Sequence, residues 1–282
     1  MRRIWPYVFL LPTAAVFLTF VFYPGIEILM LSFQKYSFAS QPAWVGLQNY
    51  LRLLSDRTFL AALVNSFIYL LATPVVIILS LGVAFLLDSR LRGVKMFRSL
   101  YFLPVVTPMI VVGIIWKWIL NEDAGLLNYA VRATGLTSSD VPWLSTYPLN
   151  LFAVMGVTIW KGIGYYALIF LAGLLAIPCE LEEAAELDGA SAWQLLLRVK
   201  LPLLKPTIAL VAVISSIAAL KVFDELYVVL PGAPSSEKTL VPLLYQTAFI
   251  DFRLGYASAM GVVLFAIVLA FSYFNVRYWR EQ

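Results

Sequence analysis

The chain alternates between long apolar stretches and short polar connections. A helix needs about 20 apolar residues to cross the hydrocarbon core of a bilayer. Six windows reach that length: 7–31, 62–87, 99–120, 150–176, 207–226 and 256–276. A transmembrane barrel would instead show alternating strands of about 10 residues, and this chain sustains no such alternation. The pattern therefore predicts an all-α membrane protein with six transmembrane helices, forming a single transmembrane domain over residues 1–282.

Composition strengthens this assignment and excludes several kinds of chemistry. Of the 282 residues, 62% are hydrophobic and only 13% are charged, too few charges to cover the surface of a soluble fold. Histidine is absent, which excludes His-based acid–base catalysis, Ser-His-Asp triads and imidazole metal sites. The single cysteine, Cys179, excludes an internal disulfide and a thiolate metal cluster.

The distribution of Lys and Arg predicts the orientation. One set of segments holds eleven of these cations in 53 residues: 1–6, 88–98, 177–206 and 277–282. The opposite set holds six in 88 residues: 32–61, 121–149 and 227–255. Cytoplasmic segments are the richer in Lys and Arg, so we expect both termini and the 177–206 loop to be cytoplasmic. Arg2 and Arg3 precede the first window as in a signal peptide, but the window is too long and no small-x-small site follows, so we expect an uncleaved helix.

Two outer segments, 41–60 and 121–135, carry apolar residues at helical spacing and are predicted to contain amphipathic helices. They either cover a cavity or lie on the lipid headgroups, and the sequence leaves both interpretations open.

The inner loop, residues 177–206, concentrates acidic residues. These are Glu180, Glu182, Glu183, Glu186 and Asp188. Pro178 suits the first turn of a helix, and the acids then lie near its positive end. Gly189 is predicted to end this helix with a positive φ. A second helix over 191–200, ended by Leu201-Pro202, would complete a helix–turn–helix at the cytoplasmic surface.

The same loop resembles the "EAA" motif of bacterial ABC importer permeases. Glu183-Ala184-Ala185, Gly189 and Leu201-Pro202 keep every spacing of that motif, and Val199 replaces its Ile. Further segments resemble the carbohydrate-importing, maltose-type branch: WVGLQNY (44–50), LVNSFIY (63–69), YFLPVVTP (101–108), GLLN (125–128) and KVFDELYV (221–228). The last two favour the subunit class equivalent to the larger maltose permease.

This resemblance implies a type I importer fold and a set of partners. A second related permease would share the pathway, two copies of a cytoplasmic ATPase would bind ATP and Mg, and an extracytoplasmic binding protein would deliver a sugar. Glu183 would make a polar or ionic contact with an ATPase, Ala184 and Ala185 would pack against it, and Gly189 would shape the turn. The location implied is the cytoplasmic membrane of a bacterium or archaeon.

This chain itself needs no cofactor under that interpretation, and it lacks the GxxxxGK[ST] phosphate loop of ATPases. The alternatives are an integral membrane enzyme acting on lipid or sugar, a channel that works without ATP, and an acidic loop that has no partner.

Polar residues within the spans are candidates for substrate binding. Such groups are energetically unfavourable in lipid and are therefore rare there unless they serve a function. By resemblance, Thr158, Lys161, Gly162 and Tyr165 of the fourth span and Lys221 of the fifth fall at sugar-binding positions. Lys161 lies roughly 16 Å into its span at 1.5 Å per residue. Gly162 and Gly164 are expected to weaken the helix and open space beside it.

A structural interpretation remains open for the same residues. Lys161 and Lys221 would form ion pairs with Asp224, Glu225 or the partner permease. For Lys221 the spacing to Asp224 and Glu225 is three and four residues, which makes them neighbours on a helix. Thr158, Ser215 and Ser216 would serve helix packing.

Overall fold

The computed structural model describes residues 5–37, 40–88, 94–135 and 139–280. Arg2, Arg3, Arg90 and Arg92, which contribute to the orientation argument, lie outside the described residues. Within them, five stretches are long and apolar enough to cross a membrane: Phe9–Ser32, Arg57–Asp88, Leu149–Leu175, Lys205–Val229 and Leu254–Arg277. A bent helix pair, Met96–Val106 and Met109–Ile119, raises the number to six. The predicted helical membrane fold is confirmed.

The N-terminal part of the chain contains the first span, a hairpin and a short helix. The helical elements of this span are α1 (Trp5–Phe17), a π-helical segment (Leu18–Phe22) and α2 (Tyr23–Ser32). A two-stranded antiparallel hairpin follows, with β1 (Gln34–Ser37) paired to β2 (Ser40–Trp44). This hairpin was not predicted from the hydrophobic pattern. The amphipathic helix expected in 41–60 is present as α3 (Gln48–Ser55).

The core forms where the second span packs against the fourth. The second span consists of α4 (Arg57–Tyr69) and α5 (Ala72–Asp88), and the fourth is the single helix α9 (Leu149–Leu175). Fully buried side chains at this contact include Tyr69, Leu151 and Phe170.

The third span is broken, whereas the sequence predicted one helix over 99–120. Its halves, α6 (Val94–Val106) and α7 (Met109–Ile119), meet at 96°. Pro108 explains the break, because proline lacks the N–H that a helix interior requires and disfavours the α conformation at Thr107. Beyond α7, the helix α8 (Leu126–Ala133) confirms the helix expected in 121–135.

The inner loop and the fifth span follow α9. They comprise α10 (Cys179–Leu187), α11 (Ala192–Gln194), a π-helical segment (Leu195–Lys200), α12 (Leu201–Leu203), α13 (Lys205–Leu220) and α14 (Asp224–Val229). The prediction that Leu201-Pro202 ends the helix is wrong. Pro202 lies just past the change from π to α hydrogen bonding, where its missing N–H is tolerated, and the turn comes at Leu204.

The last part returns through the membrane. It contains a 3₁₀ turn (Ser235–Glu237), α15 (Leu240–Tyr245), a π-helical segment (Gln246–Ile250) and α16 (Leu254–Arg280). Helix α16 packs against α2, α13 and the hairpin. At the closest approach Gly255 meets the backbone of Gln34, where a Cβ atom would clash with the Gln34 carbonyl oxygen.

Candidate functional site

The turn of the inner loop is built as its sequence predicts. Gly189 has φ +82°, in the left-handed region that glycine adopts most readily. The N–H of Ala190 donates to the Ala185 carbonyl oxygen and that of Gly189 to the Glu186 carbonyl oxygen, both at 3.0 Å. These two bonds form a Schellman motif, which satisfies the last carbonyl groups of α10. Pro178 is the N-cap of α10 rather than part of its first turn.

The second helix of the loop begins with a cap that the sequence analysis missed. The Ser191 hydroxyl accepts a hydrogen bond from the Gln194 N–H, and the Gln194 side chain accepts one from the Ser191 N–H. This capping box fixes the direction in which the chain leaves Gly189. Its signal is a Ser followed three residues later by Gln, which is readable in the sequence.

The inner loop presents an exposed surface with both charged and apolar side chains. Glu183 and Ala184 are exposed and Ala185 is half-buried. Leu187 is 89% exposed and Trp193 67% exposed, although both are large and apolar. Large apolar side chains exposed together outside a membrane span are typical of a protein-binding surface.

Lys200 ties this loop to the second span. Its Nζ lies 2.8 Å from an Asp88 carboxylate oxygen at the C-terminal end of α5 and 3.0 Å from a Glu182 carboxylate oxygen on α10. Burial alone would lower the pKa of Lys200, but the hydrogen bonds with Asp88 and Glu182 outweigh it and raise that pKa. We call these three residues the Lys200 cluster. Sequence reasoning missed it, because no local pattern reveals that Asp88 and Lys200 meet.

Three of the candidate substrate residues share one face of α9. Thr158, Lys161 and Tyr165 are spaced by three and four residues, which places them along one side of a helix. The Thr158 hydroxyl donates to the Val154 carbonyl oxygen at 3.2 Å and lies 2.6 Å from the Tyr69 hydroxyl. Thr158 thus connects α9 to α4 in this conformation.

Lys161 contacts the backbone of the broken span. Its Nζ donates to the carbonyl oxygens of Pro104 at 3.2 Å, Val105 at 3.4 Å and Thr107 at 3.0 Å. These carbonyls lie at the C-terminal end of α6, where a helix carries partial negative charge and lacks its own donors.

The ion pairs considered for the two lysines do not form within the described residues. Neither Lys161 nor Lys221 pairs with Asp224 or Glu225. The helical spacing assumed for Lys221 does not apply, because α13 ends at Leu220 and Lys221–Phe223 are not helical. Lys221 is exposed at this break.

The glycines of α9 bring helices together rather than opening space, so that expectation is wrong. A Cβ atom at Gly164 would clash with the Tyr101 carbonyl oxygen on α6. One at Gly162 would lie 3.4 Å from the Val76 side chain of α5 and 3.2 Å from that of Tyr166. Helix α9 remains continuous through both positions. Tyr165 next to them is 43% exposed and contacts Tyr166 edge to face at 5.1 Å.

A cavity of about 30 Å³ lies between α5, α9 and α13. Thr73, Thr158 and Ser215 are among its lining residues, and the Oγ1 atom of Thr73 is buried there without a hydrogen-bond partner. Ser215 and Ser216 are buried, and the Ser215 hydroxyl donates to the Val211 carbonyl oxygen at 2.7 Å. This environment favours the packing role for both serines.

Two asparagines of the family motifs form hydrogen bonds to the loops that connect the spans. The Asn65 amide of LVNSFIY donates to the carbonyl oxygens of Ser236 and Lys238, each at 3.0 Å. The Asn128 amide of GLLN donates to the carbonyl oxygens of Glu122 and Val141, and its oxygen accepts from the Trp143 indole at 2.8 Å. Both asparagines are 1% exposed. The shared motifs therefore include residues that shape the loops.

Comparison with known proteins places these features in a family. A profile described as "Binding-protein-dependent transport system inner membrane component" matches residues 57–279. The chain is 35% identical to a probable ABC transporter permease of Bacillus subtilis, YurN, over 99% of this chain and 97% of that protein. It is 34% identical to the trehalose/maltose permease MalF of Thermococcus litoralis, over 98% and 94%.

The fold agrees with a solved structure of the same kind. The crystal structure of a bacterial ABC transporter that imports alginate matches with a TM-score of 0.85 and 25% identity, covering 99% of this chain and 96% of that one. The transporter interpretation is thereby confirmed over the membrane enzyme and the lone channel. The chain belongs to the family of inner membrane permease components of binding-protein-dependent ABC transport systems.

Proposed function

We propose that this chain forms one half of the pathway of an ATP-driven carbohydrate importer. A second, related permease completes the pathway, two copies of a cytoplasmic ATPase bind ATP and Mg, and a binding protein delivers the sugar from outside. Relatives named for trehalose and maltose, for arabinooligosaccharides and for diacetylchitobiose support a di- or oligosaccharide substrate.

The inner loop couples this chain to the ATPase. The observation that carries this role is the exposed surface of α10 and α11, which presents Glu183 and Ala184 together with the apolar Leu187 and Trp193. A polar contact at Glu183 and close packing at Ala184 and Ala185 suit a cleft on a partner. The Gly189 turn sets the direction of the second helix, which Leu201 and Pro202 continue toward the fifth span. In this arrangement both termini are cytoplasmic.

The sugar contacts lie on α9 and at the break in the fifth span. Tyr165 and Lys221 are exposed in this conformation, while Thr158 and Lys161 are engaged with Tyr69 and with the α6 carbonyls. An aromatic face and hydrogen-bonding groups on one side of α9 suit a sugar ring. Gly162 allows Tyr166 and Val76 to approach that side.

A charge reversal in the inner loop tests the coupling role. Glu183→Lys should abolish co-purification of the ATPase and sugar-stimulated ATP hydrolysis, because a cation replaces the acid at the contact. Asp123→Lys makes the same exchange at an exposed residue of the outer 121–135 segment and should leave both properties unchanged. An intact complex with unaltered ATP turnover in Glu183→Lys would contradict the docking role.

A further inference from the structure

A cavity of about 680 Å³ opens where three membrane spans end. The spans end or begin at Ser32, Arg57 and Leu254, and the cavity lies between the hairpin, α3 and the start of α16. Three cations and one acid line it: Lys35, Arg52, Arg253 and Asp251. The position is therefore level with the lipid headgroups and its charge is mainly positive.

Two of these cations are held by an aromatic ring. The guanidinium carbon of Arg52 lies 5.1 Å from the centre of the Tyr256 ring and that of Arg253 lies 4.7 Å from it. The Tyr256 hydroxyl donates to the Asp56 carboxylate at 2.7 Å, which fixes the ring. Within the described residues no carboxylate forms an ion pair with either guanidinium. Their hydrogen-bond donors remain available to an anion.

The backbone next to Arg253 is strained. Phe252 has φ +54°, a region that bulky residues rarely occupy. The following N–H, that of Arg253, donates to the Thr247 carbonyl oxygen at 2.9 Å and holds this conformation. Arg253 follows this turn directly and lies over the Tyr256 ring, and the Phe252 side chain is 52% exposed.

Exposed apolar side chains lie next in sequence to residues that line the cavity. On α3, Leu51 is 65% and Leu54 73% exposed, although Leu53 of the same helix is buried. Phe249 and Ile250, before the start of α16, are also more than half exposed. An amphipathic helix with apolar residues outward and a basic residue beside them is typical of a segment that lies in the membrane interface.

We propose that this cavity binds the phosphate group of an anionic phospholipid. Arg side chains present donors in a planar fork that matches phosphate oxygens, and Lys35 adds a third positive charge. On the cytoplasmic side of membranes, basic pockets between transmembrane helices bind lipid headgroups, and the same charge attraction acts in a basic pocket at the opposite face. The exposed leucine and phenylalanine side chains beside the cavity would contact the acyl chains, which a soluble anion does not have.

The test uses the purified transporter complex and phosphatidylglycerol as the probe. Binding of phosphatidylglycerol to the complex in detergent is measured by native mass spectrometry for wild type, Arg52→Gln, Arg253→Gln and the double variant. Each lost cation should weaken lipid binding about fivefold. Arg132→Gln is the matched control, because Arg132 lies on the outer helix α8 and is paired with Asp140 at 2.8 Å; its lipid binding should equal wild type.

Other outcomes would overturn the proposal. Unchanged phosphatidylglycerol binding in the double variant would exclude the cavity as the lipid site. Equally strong competition by inorganic phosphate would show a site for soluble anions instead. Weaker docking of the binding protein with unaltered lipid binding would show that an acidic partner side chain is the occupant. If the arginine variants fail to fold, Lys35→Gln provides the same test, since Lys35 is exposed on the hairpin.

Discussion

The Nζ atom of Lys161 lies 3.0 Å from the carbonyl oxygen of Thr107, the residue at which the third span bends. The Lys161 ammonium also donates to Pro104 and Val105, and the Thr107 hydroxyl donates to the Leu103 carbonyl oxygen at 2.9 Å. Together these donors satisfy carbonyls that lose their helical partners when α6 ends. A charged side chain within a span is thereby stabilised by backbone carbonyl groups, and it forms no salt bridge within the described residues.

Replacing Lys161 should destabilise the bent third span and slow transport. Lys161→Ala leaves carbonyl groups without donors, which costs about 1–3 kcal/mol in the free energy of unfolding. We expect lower thermal stability and slower import, with the complex still assembled. Lys117→Ala, in the last turn of α7, is the control. Its thermal stability and its import rate should stay close to those of wild type.

A conservative variant separates substrate binding from positioning. Lys161→Arg retains donors for the α6 carbonyls, so thermal stability should be largely restored. If Lys161 contacts the sugar, the altered shape of its head group should still raise the KM for import. Wild-type transport kinetics in Lys161→Ala would remove this residue from the substrate site, and unchanged thermal stability would remove it from the positioning role.

Gly164 is expected to be the least tolerant glycine of α9. A Cβ atom there clashes with the Tyr101 carbonyl oxygen, so Gly164→Ala must push α6 away from α9. Such overpacking typically costs about 1–3 kcal/mol, and we expect a lower unfolding temperature by nanoscale fluorimetry. Gly156→Ala is the matched control, because no atom lies within 4 Å of its Cβ position. Equal stability of the two variants would contradict the close approach.

The Lys200 cluster should connect the inner loop mechanically to the second span. Lys200→Met leaves Asp88 and Glu182 as an unpaired acid pair, with an expected loss of about 1.5–3 kcal/mol for the charged hydrogen bonds. ATP hydrolysis should become less dependent on sugar. Adding Asp88→Asn to Lys200→Met should recover part of the stability by removing one unpaired charge. If the double variant is as unstable as the sum of the single ones, the pair is not coupled.

The same cluster gives a dependence on alkaline pH. Because the folded-state pKa of Lys200 is raised above 10.5, its contribution is fully present below that pH and is lost as the pH rises through the raised value. Unfolding measured across this range should show a loss in wild type that is absent in Lys200→Met.

Asp56 should contribute to stability in a way that acid removes. Burial raises the pKa of Asp56, but hydrogen bonds from the Tyr256 hydroxyl and the N–H groups of Phe59 and Thr58 outweigh it and bring the pKa below 3.8. The contribution is therefore present above 3.8 and is lost as the pH falls through the lower folded-state value. Asp56→Ala removes the N-cap of α4 and should cost about 0.5–2 kcal/mol.

The acid dependence has its own control. Asp56→Asn retains an N-cap oxygen but not the charge, so its unfolding temperature should fall less than that of wild type when the pH drops below 3.8. An identical acid dependence in wild type and Asp56→Asn would show that other carboxylates dominate this range.

Local sequence patterns predicted those features whose structure depends on a single segment of the chain. The apolar windows placed the spans, because a bilayer requires about 20 apolar residues in a helix whatever surrounds them. Gly189 identified the turn of the inner loop, since its positive φ is a property of one residue. The spacing from Glu183 to Pro202 indicated the family, since a motif is a property of one short segment.

Contacts between distant segments required the tertiary structure. The sequence contains Pro108, but only the position of α9 shows that Lys161 satisfies the carbonyl groups freed at the bend. Likewise, Lys200 meets Asp88 and Arg52 shares the Tyr256 ring with Arg253 only because packing brings separate helices together. Hydrophobic periodicity specifies which residues face lipid or protein, but it carries no information about which partner a polar side chain will meet.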